Sequence, residues 1–155
     1  MAESTDLATL LEQLRRLYED DLPFNRLLGL KVRALTAASA VTVFSMRDEL
    51  VGNPVQQTLH GGVISAVLDA TGGLLATASR FEQLAGRPLA EVIGRIARVG
   101  TIDLRVDYLR PGRGVVFSAS ATVMRSGRKV AVTRMELCNE ADLLIAVGTG
   151  TYLVG

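Results

Sequence analysis

The sequence predicts an α+β fold in which a curved antiparallel sheet wraps around one long central helix. Three observations predict it: two strand-like stretches within residues 29–46, an apolar helical stretch from Leu59 to Arg80, and four strand-like stretches within residues 101–153. The 155 residues make one domain of ordinary size, long enough to bury a core. We expect residues 1–27 to form a helical extension and residues 28–155 to form the main domain.

The N-terminal helix is expected to run from about Thr5 to Asp20. Leucines and Tyr18 recur there at helical spacing, with charged residues between them. The polar face mixes acidic and basic side chains instead of carrying a basic run, which favours packing on the domain surface over membrane contact. We therefore expect an amphipathic helix that covers the domain.

Two strand-like stretches follow, at about Gly29–Leu35 and Ala40–Met46, and we expect them to form a hairpin. Residues Arg47–Leu59 are rich in turn formers and are expected to be a loop that leads into the long helix. After that helix, the stretch Phe81–Val99 is interrupted by proline and glycine, and fits a short helix, a strand or a flap equally well.

The C-terminal third of the chain alternates apolar and polar residues. From Thr101 to Tyr108 this alternation predicts a strand with one buried face. After a turn at RPGRG, three more strands are predicted at Val115–Arg125, Lys129–Asn139 and Leu143–Leu153. We expect the four strands to form an antiparallel meander.

The central helix carries a single carboxylate, Asp69, among apolar residues. Such an acid is unusual, because ionised Asp is seldom buried without a partner and is a poor helix former. Its neighbours one turn away are all small, namely Ser65, Ala66, Gly72 and Gly73. This collar predicts room beside the carboxylate for a ligand or another backbone.

The start of the same helix offers a second candidate group. The first N–H groups, beginning near Gly61 and Gly62, have no partner within the helix and lie at the positive end of its dipole. They suit an oxyanion that develops during a reaction.

Composition excludes several classes of protein. A hydrophobic content of 48% excludes a disordered chain, and no uninterrupted apolar run reaches the roughly 18–20 residues that a membrane span needs. The N-terminal residues lack the charged and then apolar pattern of a signal peptide. We therefore expect a soluble cytoplasmic protein.

Cysteine and histidine occur once each, which limits the chemistry. Cys138 cannot form an internal disulfide, and His60 alone cannot build a zinc cluster or a multi-histidine metal site, so we expect no metal. The net charge is +1, but residues 61–155 hold 11 basic and 8 acidic side chains, against 6 and 8 in residues 1–60. The excess is mostly arginine, which fits a small phosphate-bearing ligand and does not indicate nucleic acid.

A set of short motifs runs through the main domain. The central ones are HGG at residues 60–62 and the acid nine residues after the histidine; the others are Asn53–Pro54, DLRVDYLRP from Asp103 to Pro111, RSGR from Arg125 to Arg128, and GTGT from Gly148 to Thr151. With the strand order, these motifs resemble the hotdog-fold thioesterases of the phenylacetic-acid-degradation type, acyl-CoA hydrolases of the 4-hydroxybenzoyl-CoA thioesterase superfamily. The resemblance spans about Leu28 to Leu153.

The resemblance implies hydrolysis of an acyl-CoA thioester, with no cofactor beyond the CoA of the substrate. It implies Asp69 as general base or nucleophile and Gly61 as an oxyanion donor. Thr101 is implied to orient water. Asn53 is implied to bind the thioester or the water, although it lies seven residues before His60 where the family pattern has six. His60 itself either polarises the thioester or fixes its loop through hydrogen bonds.

The resemblance also implies substrate-binding residues and an assembly. The expected substrate-binding residues are Gly62, Val99, Gly100, Arg125, Ser126, Arg128 and Lys129. The basic members of this set would hold the CoA phosphates. Family members form dimers that often pair again, so we expect a homodimer or homotetramer.

Helix geometry leads independently to a dimer. Asp69 lies eight residues beyond Gly61, which is about 12 Å along a helix axis. One thioester carbonyl cannot touch both groups. If both act on the same carbon, the site must combine the helix start of one subunit with Asp69 of another, and a symmetric dimer satisfies this twice.

Other interpretations are open at this point. Asp69 is also consistent with a structural acid at a dimer interface, Thr101 with an ordinary strand residue, and the basic turn with a solvated surface. A non-catalytic acyl-CoA sensor or carrier of the same fold is a further alternative, but an apolar tunnel would work better without a desolvated charge. An enoyl-CoA hydratase would need an Asp–His pair, which His60 cannot supply to Asp69. Aryl, short-chain and medium-chain acyl groups all fit.

Overall fold

The computed structural model of the protein describes residues 5–155. Its helices are α1 (Leu7–Arg16), α2 (Pro23–Leu28), α3 (Gly61–Ala78), α4 (Phe81–Leu84) and α5 (Leu89–Ile96). Its strands are β1 (Lys31–Leu35), β2 (Ser39–Ser45), β3 (Val51–Asn53), β4 (Thr58–Leu59), β5 (Gly100–Tyr108), β6 (Val116–Ser126), β7 (Val130–Asn139) and β8 (Leu144–Leu153). A π-helical turn, Leu17–Asp21, links α1 to α2.

Six strands form one antiparallel sheet in the order β1-β2-β6-β7-β8-β5, and β3 pairs with β4 separately. Helix α3 packs against five of the six strands of the large sheet. Leu68, Leu74 and Leu75 of α3 are completely buried in this contact. The predicted fold class is therefore confirmed: an antiparallel sheet encloses one long central helix, and β1 and β2 form the predicted hairpin.

The four C-terminal strands do not form the predicted meander. β6, β7 and β8 pair in sequence, but β5 pairs with β8 at the sheet edge, and β6 pairs with β2. Residues 109–115 therefore cross from β5 at the edge of the sheet to β6 in its interior. A hydrogen bond from the Leu59 N–H to the Gly112 carbonyl, at 2.9 Å, holds this crossing segment. Alternation of apolar residues identifies a strand but does not identify its neighbours.

The buried face predicted for β5 is only partly present. Leu104 and Val106 are partly buried against the core, but Ile102 and Tyr108 keep 58% and 53% of their surface exposed. β5 is an edge strand that bonds to a neighbour on one side only, and its register shifts between Thr101 and Asp103. Ile102 and Tyr108 are consequently left on the surface of the single chain.

Two segments hold more structure than the sequence predicts. The loop Arg47–Leu59 contains a 3₁₀ turn and the β3–β4 pair, which delivers the chain to the start of α3. The segment Phe81–Val99 forms the short helices α4 and α5 instead of a strand or flap.

Helix α1 covers one side of the domain, as predicted. Asp6 caps its start by accepting a hydrogen bond from the Thr9 N–H at 2.7 Å. Leu10 and Leu14 are buried and join the core formed by α3 and the sheet. The amphipathic pattern therefore reflects packing on the chain's own domain.

The segment Gly61–Leu84 is long and apolar enough to cross a membrane by length and composition. Asp69 interrupts this segment, so it is not the uninterrupted apolar run that the sequence analysis looked for. Sixty-one per cent of the most apolar window is buried inside the molecule. We interpret the segment as the core helix of the fold, because its apolar side chains already pack against the sheet.

Candidate active site

Asp69 meets the edge strand β5 through its carboxylate. Its Oδ1 accepts a hydrogen bond from the Thr101 hydroxyl at 2.9 Å. Thr101 pairs across the sheet with Tyr152, whose hydroxyl donates to the backbone carbonyl of Asp69 at 3.1 Å. Within residues 5–155, Asp69 Oδ2 accepts no hydrogen bond, so one carboxylate oxygen is oriented and the other is available.

A pocket of about 260 Å³ opens beside this carboxylate. Three residues predicted at the site, Val99, Gly100 and Thr101, lie together with Asp69 in its wall. The remaining wall comes from α3, from the N-terminal segment and from β8, and consists of Tyr18, Leu22, Phe24, Asn25, Ala66, Ala70, Gly73 and Tyr152. Most of this lining is apolar, so the Asp69 carboxylate borders a largely apolar cavity.

Only part of the predicted collar of small residues lies at the pocket. Ala66 and Gly73 line it, whereas Gly72 faces the sheet, where an added Cβ would lie 2.8 Å from Met135 Sδ. Ser65 donates its hydroxyl to a carbonyl of the first helical turn at 3.1 Å. Gly72 thus allows α3 to pack closely on the sheet. Ala66 and Gly73 are the members of the collar that leave room for a ligand beside Asp69.

Two tyrosines near the carboxylate have raised pKa values. Packing around the Tyr18 hydroxyl raises its pKa to about 12, with a smaller contribution from the negative charge of Asp69. Burial is also the main cause that raises the pKa of Tyr152, again followed by the charge of Asp69. Both phenols stay protonated at neutral pH, and Tyr152 donates a hydrogen bond, while the carboxylate is the candidate base.

His60 caps the start of α3. Its backbone is extended, with φ −63° and ψ 134°, and its Nδ1 accepts a hydrogen bond from the Gly62 N–H at 2.8 Å. This bond requires an unprotonated Nδ1, so the neutral ring carries its proton on Nε2. The contact also occupies the Gly62 N–H, one of the two predicted oxyanion donors.

The Gly61 N–H is the available donor at the helix start. It donates to no acceptor within the described residues 5–155. The Tyr108 hydroxyl donates to the Gly61 carbonyl at 3.0 Å, and an added Cβ on Gly61 would lie 3.5 Å from the Tyr108 ring. Sequence reasoning gave Tyr108 no role, because its position in the alternating strand identifies it only as an apolar residue.

Asn53 uses its side chain to close its own turn. It ends β3 opposite Thr58, and its Oδ1 accepts hydrogen bonds from the N–H groups of Val55 and Gln56 at 3.0 Å each. Its amide nitrogen is the group left for a ligand. Asn53 therefore lies on the same β3–β4 pair that leads to His60, and does not line the Asp69 pocket.

A second pocket, of about 290 Å³, lies at the helix start. Its lining residues are Phe24, Leu27, Leu28, Arg47, Glu49, Leu50, His60, Gly62 and Val63. Phe24 lines this pocket and the Asp69 pocket alike. Helix α2, which carries Phe24, therefore lies between the two candidate groups of α3.

The basic turn between β6 and β7 borders a third cavity, of about 380 Å³, lined by Arg125, Gly127, Arg128, Lys129, Val130 and Val132. Ser126 turns away from it, and its hydroxyl lies 2.9 Å from that of Ser79 after α3. Val130 and Gly100 both pair with Leu153 of the intervening strand. The turn therefore lies about 10 Å, or two strand spacings, from the start of β5.

Comparison with known proteins matches residues 56–146 to the family profile described as the thioesterase superfamily. The chain is 48% identical over 137 residues to a medium/long-chain acyl-CoA thioesterase, YigI, of Salmonella typhimurium, covering 86% of each chain. It is 47% identical to the Escherichia coli protein of the same name over the same length, with the same coverage.

Solved structures share the fold. A protein of Shewanella oneidensis described as related to the thioesterase superfamily superposes with a TM-score of 0.92 at 44% identity, covering 96% of this chain and 97% of that one. The PaaI protein of the Escherichia coli phenylacetic acid degradation operon superposes with a TM-score of 0.76 at 18% identity, covering 97% and 96%. The second likeness concerns the fold alone.

Proposed function

The chain belongs to the thioesterase superfamily and is an acyl-CoA thioesterase, and we propose that Asp69 and the Gly61 amide carry out its reaction. The observation that carries this assignment is the 2.9 Å hydrogen bond from Thr101 to Asp69 beside an apolar pocket. A carboxylate with one oxygen fixed and one available is arranged to accept a proton or to attack a carbon.

In the general-base route, Asp69 Oδ2 takes a proton from water while the water oxygen bonds to the thioester carbon. The carbonyl oxygen becomes negative and is stabilised by the Gly61 N–H and the positive end of the α3 dipole. The tetrahedral intermediate then expels the CoA sulfur, which receives the proton from Asp69. The products are a free carboxylic acid and CoA.

In the nucleophilic route, Asp69 Oδ2 attacks the thioester carbon and CoA leaves before water enters. Water then hydrolyses the mixed anhydride. Both routes use the same contacts, so the structure does not choose between them. A single turnover in water labelled with ¹⁸O distinguishes them when water attacks the aspartyl carbon of the anhydride. The nucleophilic route with attack at the aspartyl carbon puts an unlabelled Asp69 oxygen into the acid, whereas the general-base route puts in labelled oxygen only.

We propose that each reaction centre is shared between two subunits. Asp69 and Gly61 lie in one continuous helix, about 12 Å apart along its axis, which is too far for one carbonyl to reach both. Asp69 of one subunit would therefore face Gly61 of the partner subunit. The exposed apolar residues of edge strand β5 supply surface for such a contact, which fits a twofold dimer with two identical sites.

The basic turn is the proposed site for the CoA phosphates. Arg125, Arg128 and Lys129 make no ion pair within the described residues, and they lie at the sheet end where β5 begins. Guanidinium and ammonium groups suit phosphate. Since the relatives at 47–48% identity are named medium/long-chain acyl-CoA thioesterases, we propose an acyl chain of that length in the Asp69 pocket.

The decisive experiment replaces Asp69 by Asn and measures hydrolysis of a series of acyl-CoAs. We expect turnover to fall by a factor on the order of 10² to 10⁴ while acyl-CoA binding persists, because the amide keeps the shape but cannot act as base or nucleophile. Asp142→Asn, an equivalent change in the exposed turn between β7 and β8, is the matched control and should leave turnover close to wild type. A folded Asp69→Asn enzyme with wild-type turnover would reject the mechanism.

A further inference from the structure

The Asp69 pocket combines a polar group with apolar walls. The polar group consists of Asp69 and the hydroxyl of Thr101, joined by their hydrogen bond. Ala66 and Ala70 of α3 and Leu22 of the N-terminal segment are apolar parts of the wall. A molecule with a reactive polar head and an apolar tail would find partners for both parts in this pocket.

Gly73 lines this pocket one helical turn after Asp69, on the same face of α3. A Cβ added to Gly73 would lie 3.4 Å from both the Tyr18 hydroxyl and the Tyr152 ring. Those are ordinary contact distances, so a methyl group would fit there without displacing its neighbours. The glycine therefore leaves a methyl-sized space between two tyrosines that line the same pocket.

Phe24 forms the opposite boundary. Its ring keeps 56% of its surface exposed although α2 is firmly anchored: Asn25 is buried and donates to the Tyr18 carbonyl at 3.1 Å, and Leu28 is buried at the other end of the helix. Because Phe24 lines both the Asp69 pocket and the pocket at the helix start, it separates the two cavities. Its removal would extend the first cavity towards the second.

We propose that Gly73 and Phe24 set the length of the acyl chain that the enzyme accepts. The chain would lie in the cavity beside Ala66 and Ala70, between Gly73 on one side and Phe24 on the other. Discrimination would then depend on how many methylene groups fit in the space that these two residues bound. This inference rests on the proposed function and adds the two residues that determine specificity within the same pocket.

Two substitutions with opposite expected effects test it. Gly73→Ala adds a methyl group to the pocket and favours the helix, so the fold should persist. For this variant, kcat/KM for the longest acyl-CoA that the wild type uses well should fall about 10-fold relative to its shorter homologues, which is the size of effect that one methylene has in an apolar pocket. Phe24→Ala should move the preferred chain length in the opposite direction, towards longer acyl groups.

The measurement is kcat/KM for saturated acyl-CoAs from butanoyl to palmitoyl, with thermal unfolding of each variant as a check on folding. Ile93→Ala is the control, since Ile93 on α5 is 55% exposed, as Phe24 is at 56%, and lines neither pocket. A shift in opposite directions for the two variants, with no shift for the control, supports the proposal. Unchanged chain-length preference in both, or a uniform loss at every length, overturns it. A wild-type protein that hydrolyses none of these substrates would instead reject the proposed function.

Discussion

Asp69 and the start of α3 are held by different contacts. Asp69, in the middle of the helix, is held from two strands: Thr101 of β5 bonds to its carboxylate and Tyr152 of β8 bonds to its backbone. At the start of the helix, the contacts come from His60 just before it and from Tyr108 at the far end of β5. Asp69 and Gly61 are both half-buried, but Asp69 lies beside an apolar pocket, whereas His60 and Gly62 are exposed.

Under the proposed mechanism, this difference lets one helix contribute to two reaction centres. A proton acceptor needs a fixed orientation, which two strands provide in the middle of α3. An oxyanion donor must have an open N–H, and only the first turn of a helix provides one. Because these requirements fall on different parts of one rigid helix, each chain of the proposed dimer would supply half of two sites.

Among the substitutions that test this difference, removal of the Gly61 N–H should lower kcat the most. Gly61→Pro deletes that donor, yet proline is favoured at the first position of a helix, and the extended backbone of His60 (ψ 134°) suits a residue before proline. We expect kcat to fall by roughly 10² to 10³, as for loss of an oxyanion donor.

The matched control for that prediction is Gly61→Ala, which keeps the N–H and adds a Cβ at an ordinary 3.5 Å from the Tyr108 ring. It should stay within a few-fold of wild type. If the alanine variant loses as much activity as the proline variant, the space at Gly61 matters instead of its N–H, and the donor assignment is wrong.

Mixing two inactive variants would show whether Asp69 and Gly61 act in one chain or in two. Asp69→Asn and Gly61→Pro should each be inactive as homodimers, since each site then contains a defect. In a mixed dimer one site carries both defects and the other carries none, so random exchange in equal amounts should restore about a quarter of the wild-type sites. Native mass spectrometry would confirm that mixed dimers form. Mixed dimers without recovered activity would reject the shared site and, with it, the assignment of the oxyanion donor to Gly61.

The sequence predicted where Asp69 and the start of α3 lie, but it did not predict all of the residues that contact them. Asp69 stands out because a charge interrupts an apolar helix, and the HGG motif marks the helix start, so both depend on local pattern. The roles of Tyr108 and Phe24 depend on which elements meet in space, and periodicity reports only which side of an element is apolar. Tyr108 in particular is placed by the pairing of β5 with β8, which the predicted meander excluded.

The same limit applies to the contacts between the residues predicted for the site. Thr101 could be connected to Asp69 only through a resemblance, since 32 positions separate them in the chain and their 2.9 Å contact follows from sheet topology. Gly62 was predicted as an equal donor to Gly61, but the imidazole of His60 occupies its N–H. A capping bond by a histidine has no distinct sequence signal, because the usual capping residues are Ser, Thr, Asp and Asn.

Loss of the Thr101 hydroxyl, which contacts Asp69, should lower kcat by a smaller factor. Thr101→Val keeps the shape of the side chain but removes the donor to Asp69, which should lower kcat about tenfold, since a hydrogen bond to a charged group contributes about 1.5 kcal/mol. Thr101→Ser keeps the hydroxyl and should retain most of the activity. Equal losses in the two variants would assign Thr101 a packing role.

Tyr108→Phe should produce the smallest effect and tests the start of α3. The phenylalanine ring keeps the packing against Gly61 but removes the 3.0 Å hydrogen bond to its carbonyl, so the first peptide of α3 would be oriented less strictly. We expect kcat to fall about threefold with KM unchanged, because a neutral hydrogen bond contributes only about 0.5–1.5 kcal/mol.

A double-mutant cycle identifies the origin of this small fall in kcat. If Tyr108 acts by positioning the Gly61 amide, the same substitution in the Gly61→Pro background should cause no further loss, since the donor is already absent. An equal threefold loss in both backgrounds would mean that Tyr108 acts independently of Gly61, through β5 or through the contact between subunits.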